Sequence, residues 1–331
     1  MKEPHLILGI GELLWDVLPD GMRLGGAPAN FAVMAGRLGN HAAILSRIGR
    51  DELGRQAIDR LDPMPVETSF LEVDAAHETG RVTVGFADGE PHYTIHQPAA
   101  WDFLDLSDEW VQLAARADAL CFGSLAQRDQ QSRQTIQTLA AQSSASCIRI
   151  FDVNLRAPFY SAEVLEESLE LATVVKMNEA EMPVVLDLLD VALLDLERLD
   201  PAPLELAIRE PAGDGPRLSS ELLRQAAERL LQAFPTLELV AITRGSRGSL
   251  LANREEWDEH PGFPVKLADG IGAGDAFTAA IAHYLMRGSD LSTLNEAGNR
   301  WGGWMASQSG AMPALPDAVR DAIAAAIERT D

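Results

Sequence analysis

Apolar and polar positions along this chain change period repeatedly. Leu6-Ile7-Leu8-Gly9-Ile10-Gly11 is a short continuous apolar run, the pattern of a strand buried on both faces. Apolar residues then recur at helical spacing from 29 to 38, and Gly39-Asn40 supplies a stop signal. The pattern goes on to predict a strand over 42–48 and a helix over 52–61. Further buried strands are predicted over 119–122, 148–153, 173–176 and 239–243, with helical patterns between most of them. Strands alternating with helices imply right-handed crossovers and an α/β fold: a mostly parallel sheet covered on both faces. The alanine-rich tail over 316–329 predicts a closing helix.

One segment breaks this rhythm. Residues 81–86 alternate, with Val82, Val84 and Phe86 on one side, and Tyr93 and Ile95 continue the pattern beyond Ala87-Asp88-Gly89-Glu90. Asp-Gly between alternating runs signals a hairpin. A hairpin with one apolar face needs something to cover, and the residues alone leave two readings open, a lid over a cleft or an edge decoration. The stretch 187–220 holds acidic, leucine-rich sequence followed by Pro201, Pro203, Pro211 and Pro216. It reads as an amphipathic helix plus a surface insertion, without identifiable chemistry.

At 331 residues the chain has room for one large α/β domain or two smaller ones, and 47% hydrophobic residues suffice for a sizeable core. The net charge of −23, with only three lysines, argues against nucleic acid or an anionic membrane as partner. Cys121 and Cys147 lie in apolar runs and form no CxxC, which fits a reducing compartment. The N-terminus runs into a strand without a signal peptide, and no apolar run approaches the ~18 residues that span a bilayer. A cytoplasmic protein is expected.

The most informative stretch is Asp269-Gly270-Ile271-Gly272-Ala273-Gly274-Asp275-Ala276-Phe277. Phe277, Ala280, Ile281, Tyr284 and Leu285 follow at helical spacing, so the glycines open a helix. Such a start leaves backbone N–H groups unpaired at the positive end of the dipole and receives phosphate. The carboxylate of Asp275 would repel a resident pyrophosphate. It would instead help a hydroxyl attack a phosphoryl group by taking the proton. No GxxxxGK[ST] sequence exists, and a dinucleotide fingerprint would need glycine where Phe277 stands.

Other polar clusters gather at glycine turns and strand ends. Gly25-Gly26-Ala27-Pro28-Ala29-Asn30 lets backbone approach a ligand, with the Asn30 amide placed to read a polyol. Asp152-Val153-Asn154-Leu155-Arg156 ends a strand, where a parallel sheet lines its crevice; Arg156 is a candidate phosphate contact and Asp152 a candidate for positioning substrate or metal waters. Asn178 and Glu181 end the next strand and are candidates to hold Mg²⁺ through water. Thr243-Arg244-Gly245-Ser246-Arg247-Gly248 follows the later strand and suits a nucleotide. His92 and His96, without nearby cysteine, read as structural rather than as zinc ligands.

Taken in order, these motifs resemble the ribokinase-like (PfkB) carbohydrate kinases, and bacterial fructokinases within them. Gly11-Glu12-Leu13-Leu14-Trp15-Asp16, Gly49-Arg50-Asp51-Glu52-Leu53-Gly54 and Gly123-Ser124-Leu125 extend the likeness over most of the chain. The resemblance implies one three-layer domain over 1–331, a central mostly parallel sheet between helices, and a small β-lid from segments near 12–25 and 66–100. It implies ATP-dependent phosphorylation of a primary hydroxyl of a free sugar, fructose first, with Asp275 as base and the amides of Gly272, Ala273 and Gly274 on the γ-phosphate. Asp16, Gly26 and Asn30 carry over as sugar contacts, with Asp152 and Arg156 beside them. Thr243, Gly245, Asn178 and Asn299 carry over to the nucleotide, and Asn178 and Glu181 to Mg²⁺. Asp269 and the carbonyl of Ile271 fall where many members bind a monovalent cation such as K⁺. Family members usually carry threonine where this chain has Gly270. A homodimer through the lid is a further implication. Competing readings are a kinase for ribose, a 2-keto-3-deoxy sugar acid, a nucleoside or a sugar phosphate, with Arg23 and Arg81 as candidate basic contacts, or a non-catalytic sugar-binding regulatory protein.

Overall fold

A computed structural model describes residues 4–19, 21–87, 90–191 and 217–329. Its central sheet has nine strands: β1 (Leu6–Ile10), β4 (His41–Gly49), β5 (Leu71–Asp74), β8 (Ala119–Gly123), β9 (Ile148–Asp152), β10 (Val174–Asn178), β11 (Leu239–Thr243), β12 (Ser249–Ala252) and β13 (Trp257–His260). Their order is β13-β12-β11-β10-β9-β8-β1-β4-β5. From β11 to β5 every pairing is parallel, and only β12 and β13 run against their neighbours. Parallel strands buried on both faces read as continuous apolar runs, which is why the sequence marks them clearly.

Successive residues of one strand enter different cores. Ile7 and Cys121 join the core beneath the helices Ala273–Leu285 and Leu291–Ala306, while Leu8 and Phe122 join the one beneath Gln130–Gln142 and Ala162–Leu171. Helices on both faces make three layers, as predicted. Helix Ala27–Arg37 presses so closely on β1 that a Cβ at Gly9 would lie 2.1 Å from the Pro28 carbonyl oxygen. The tail forms the helix Asp317–Ile327. Helices Ala273–Leu285 and Leu291–Ala306 meet through Gly298, where a Cβ would stand 2.5 Å from the Phe277 ring.

The second sheet has order β3-β2-β6-β7, from β2 (Leu14–Leu18), β3 (Gly21–Gly25), β6 (Gly80–Ala87) and β7 (Glu90–Ile95). β6 and β7 pair antiparallel, as the alternation predicts, and β2 joins β6 in parallel. The expected lid bounds need correction. Within the stretch near 66–100, β5 pairs with β4 at the edge of the central sheet, so the added sheet takes up the chain only at Gly80. A four-residue strand with half-polar sequence offers too little pattern to separate the two destinations. Of the insertion read over 187–220, residues 192–216 lie outside the described residues.

Candidate active site

The parallel strands bring their C-terminal ends to one edge, where crevices form in such sheets. Helix Ala27–Arg37 starts at Gly26, whose φ is +111° and whose added Cβ would lie 2.2 Å from the Glu12 carbonyl oxygen. Only glycine fits there. The helix carries Asn30 inward, and Asn30 Nδ2 donates to Asp275 Oδ2 at 2.7 Å. Asn30 Oδ1 is buried, and among the described residues no donor reaches it.

Asp275 sits in the first turn of helix Ala273–Leu285. The amides of Gly272, Gly274 and Asp275 donate to no backbone carbonyl among the described residues, leaving them aimed outward. The Ala273 amide departs from the sequence expectation. It donates to the Gly270 carbonyl at 3.2 Å and is spent inside the turn. Gly270 itself has φ +72°, a left-handed conformation that a threonine would strain, so this turn is shaped for the residue present. Burial, then the charge of Asp152, raises the Asp275 carboxyl to about 6; Lys176, Asn30 and Arg156 oppose that rise.

Two further carboxylates face this corner. Burial raises Asp16, on β2, to about 6 against the charges of Arg156 and Arg23. Glu12 Oε1 accepts from the Ala27 amide at 3.2 Å, while its buried Oε2 has no partner among the described residues. Burial raises Glu12 to about 7, with Asp275 adding to the rise and Arg156 reducing it. Arg156 is thus the shared counter-charge of Glu12, Asp16 and Asp275. Arg81, the other basic candidate in the lid, is paired with Glu78 at 3.2 Å.

Several predicted residues have different immediate tasks. Both oxygens of Asp152 are engaged by Lys176 Nζ at 3.0 and 3.2 Å, so this carboxylate is turned inward rather than toward a substrate. Glu181 is also buried, and its two oxygens accept from the amides of Leu155 at 2.9 Å and Asn178 at 2.8 Å. It straps the loops after β9 and β10 together. Asn178 Oδ1 accepts from the amides of Ala180 and Glu181, both at 2.9 Å. These donor sets do not fit direct Mg²⁺ coordination, and among the described residues no group of three or more His, Cys, Asp and Glu side chains is placed to hold a metal.

Asp269 accepts from the amides of Ile271 at 3.0 Å and Gly310 at 2.7 Å, tying the glycine loop to the chain that follows helix Leu291–Ala306. Thr243 ends β11, and Gly245 beyond it has open space where a Cβ would be. Asn299 turns its Nδ2 into the fold, toward Ser249 Oγ at 2.7 Å and the Asn295 carbonyl at 2.8 Å. The structure therefore gathers Asp275, Asn30, Gly26, Asp16, Arg156, Gly272 and Gly274 at one corner. Thr243, Gly245 and Asn178 line the neighbouring strand ends. Glu12 and Lys176 belong to the same corner and were not singled out from sequence. Their signals were present, an acidic residue directly after an apolar strand and one of three lysines in an acidic chain.

The buried Asp275 carboxylate thus stands at an open helix start, held by an amide from a second helix. Residues 19–318 match the model of the "pfkB family carbohydrate kinase" family. A fructokinase from Klebsiella pneumoniae is 30% identical over 82% of this chain and 81% of its own length. The structure of an uncharacterized sugar kinase from Pyrococcus horikoshii in complex with ATP aligns with a TM-score of 0.71 at 28% identity, covering 92% of this chain and 94% of that one. That of fructokinase from Vibrio cholerae in its fructose-, ADP- and calcium-bound form aligns with a TM-score of 0.73 at 26% identity, covering 96% and 98%. The chain belongs to the pfkB family of carbohydrate kinases. No helix among the described residues is long and apolar enough to cross a membrane.

Proposed function

We propose that this kinase transfers the γ-phosphoryl group of ATP to a primary hydroxyl of a free sugar, fructose first. The observation that carries the reading is the 2.7 Å hydrogen bond between Asn30 and Asp275 at the mouth of an open helix start. Asn30 holds one Asp275 oxygen in place, leaving the carboxylate oriented to accept a hydroxyl proton. The free amides of Gly272 and Gly274 receive the charge that grows on the transferring phosphoryl group. The buried Asn30 Oδ1, which no donor among the described residues reaches, accepts from a sugar hydroxyl, and Asp16, beside the charge of Arg156, supplies a further sugar contact.

The burial that raises Glu12, Asp16 and Asp275 disfavours charge in this corner, which supports an uncharged polyol over a sugar acid or sugar phosphate. The fructokinase relatives support fructose within that class. The nucleotide lies along Thr243 and Gly245 in this reading. Magnesium bound to its phosphates would neutralise charge there, and no residue here is assigned to coordinate it directly.

The test is ADP release measured over free sugars, sugar acids, nucleosides and sugar phosphates, with the wild type and Asp275→Asn. Fructose should give the highest kcat/KM, and Asp275→Asn should lower kcat by about 10²–10⁴-fold with a small effect on sugar affinity. Near-normal turnover in that variant removes Asp275 as base. A stronger response to another compound overturns fructose and leaves the reaction class standing.

A further inference from the structure

Lys176 lies at the middle of β10 and is 7% exposed. The parallel register sets it directly beside Asp152 of β9, and its ammonium reaches both Asp152 oxygens. Thr278 Oγ1, on the helix that carries Asp275, stands 3.1 Å from Asp152 Oδ2 and 2.9 Å from the Gly274 carbonyl oxygen. The ammonium packs against the first turn of that helix from within, since a Cβ added at Gly274 would lie 2.9 Å from Lys176 Nζ. A side chain at 274 would displace the ammonium from this position. The charges of Asp152, Glu181 and Asp275 outweigh burial and raise the Lys176 pKa, so the group stays protonated.

We propose that Lys176 is a positioning residue for phosphoryl transfer, a fixed cation behind Gly274 that keeps Asp275 ionised and reinforces the anion site without touching the substrate. The inference rests on Asp275 being the base. Six groups face Asp275: Asn30 from helix Ala27–Arg37, Glu12 from the turn after β1, Asp152 from β9, Arg156 from the loop beyond it, Lys176 from β10, and from β8 the Cys121 thiol, which burial keeps neutral. Glu12 and Asp152 oppose its ionisation; Lys176, Asn30 and Arg156 favour it. Arg156 is divided among Glu12, Asp16, Glu181 and Asp275 and is only half-buried, so solvent screens it. Lys176 is dry, and a dry charge acts more strongly at a given distance. Asp152 anchors the lysine and partly offsets it.

That arrangement predicts shifts of opposite sign. The readout is the acid limb of kcat/KM for the sugar, which reports groups of the free enzyme, measured on the full-length protein beside its Tm. Lys176→Met should move the limb to higher pH, by roughly one unit, and lower activity at pH 6 by up to about tenfold. Asp152→Asn keeps the lysine and should move the limb to lower pH. The double variant should return it close to the wild-type position. Among cations, Glu12 and Asp16 answer chiefly to Arg156, while Glu181 answers to Lys176 and Asp152 as Asp275 does, so paired shifts that persist in a Glu181→Gln background identify Asp275 as the group being read.

Asp275→Asn separates the two readings. Full turnover in that variant removes the base and the inference with it. An inactive Asp275→Asn beside an unmoved limb in the other variants leaves the base standing and overturns the role of Lys176. Should Lys176→Met fail to fold, Asp152→Asn alone decides: an unmoved or raised limb overturns the proposal, and a lowered one supports it.

Discussion

Asn30 and Asp275 are 245 residues apart in the chain and meet at 2.7 Å. One comes from the first helix of the fold and the other from the first turn of a helix near the C-terminus, so the reactive corner exists only where these two helices pack together. The hydrogen bond spends an amide donor on a carboxylate that burial would otherwise protonate.

Replacing Asn30 by alanine removes that donor and the free acceptor beside it. A hydrogen bond to a charged group contributes about 1.5–3 kcal/mol, so kcat/KM for the sugar should fall roughly 10–100-fold. Steady-state kinetics check this, and the KM for ATP should stay within about twofold. Equal losses toward sugar and nucleotide would point to general misfolding instead.

The acid side of the activity profile follows from Asp275. A base must be deprotonated to accept a proton, and this carboxyl titrates at about 6. Turnover should therefore be flat above neutrality and fall as pH drops through 6, by up to about tenfold per unit. A profile unchanged down to pH 5 would contradict the placement of Asp275.

Glu12 links pH to stability with a definite sign. Its folded-state pKa, about 7, lies above the ordinary 4.5, so the native state holds the proton more tightly than the unfolded chain. Its contribution is fully present below pH 4.5 and is lost as pH rises through 7, on the order of 3 kcal/mol in all. Glu12→Gln should flatten the decline of ligand-free stability between pH 5 and 8. Denaturant titrations of both proteins at several pH values supply the comparison, and identical slopes would show that Glu12 does not titrate in that range.

Gly26→Ala should be severely destabilising. The new methyl would stand 2.2 Å from the Glu12 carbonyl oxygen at a φ of +111°, so backbone must move at the foot of the helix bearing Asn30. A loss of about 2–4 kcal/mol is expected, with sugar affinity falling along with it. A Tm within about 2 °C of wild type would rule this contact out as a constraint.

Glu181→Gln distinguishes a strap from a metal ligand. Gln keeps one acceptor and loses the other, so one of the amides of Leu155 and Asn178 is left unpaired in the interior. Stability should drop by about 1–3 kcal/mol while the Mg²⁺ concentration for half-maximal activity stays unchanged. A large rise in that concentration without a change in Tm would restore Glu181 to the metal.

The parallel core was readable because β1, β8 and β11 are apolar without interruption, and a strand covered on both faces has no reason to alternate. The 87–90 turn between alternating runs likewise announced β6 and β7. The strands β12 and β13 went unpredicted: four residues each, at one edge of the sheet, they are too short to establish a period. The site divides in the same way. Asp275, Asn30 and Gly26 were legible because glycine-rich helix starts carry a local physical meaning. Lys176 was not, because a polar residue within an apolar strand looks the same whether it faces ligand or a neighbouring strand. Only the register with Asp152 decides. Ala273 failed for a related reason, since the carbonyl that takes its amide is set by the conformation of Gly270.

The contact between Glu12 and Gly26 also bears on how this architecture can diversify. β2 and β3 leave the central sheet after Gly11 and return at Ala27, and the Glu12 side chain joins the Ala27 amide at 3.2 Å while its carbonyl abuts Gly26. The hairpin is thus a closed loop clasped at its neck. Residues added to or removed from its far end change the reach of the cover without transmitting strain to the nine-stranded sheet. Changing the length of the hairpin beyond Val17 and Met22, outside the Trp15 and Leu24 that pack with Ile44 and Ile48, should then yield a folded protein with altered substrate range, making its far end a natural seam for building chimeras.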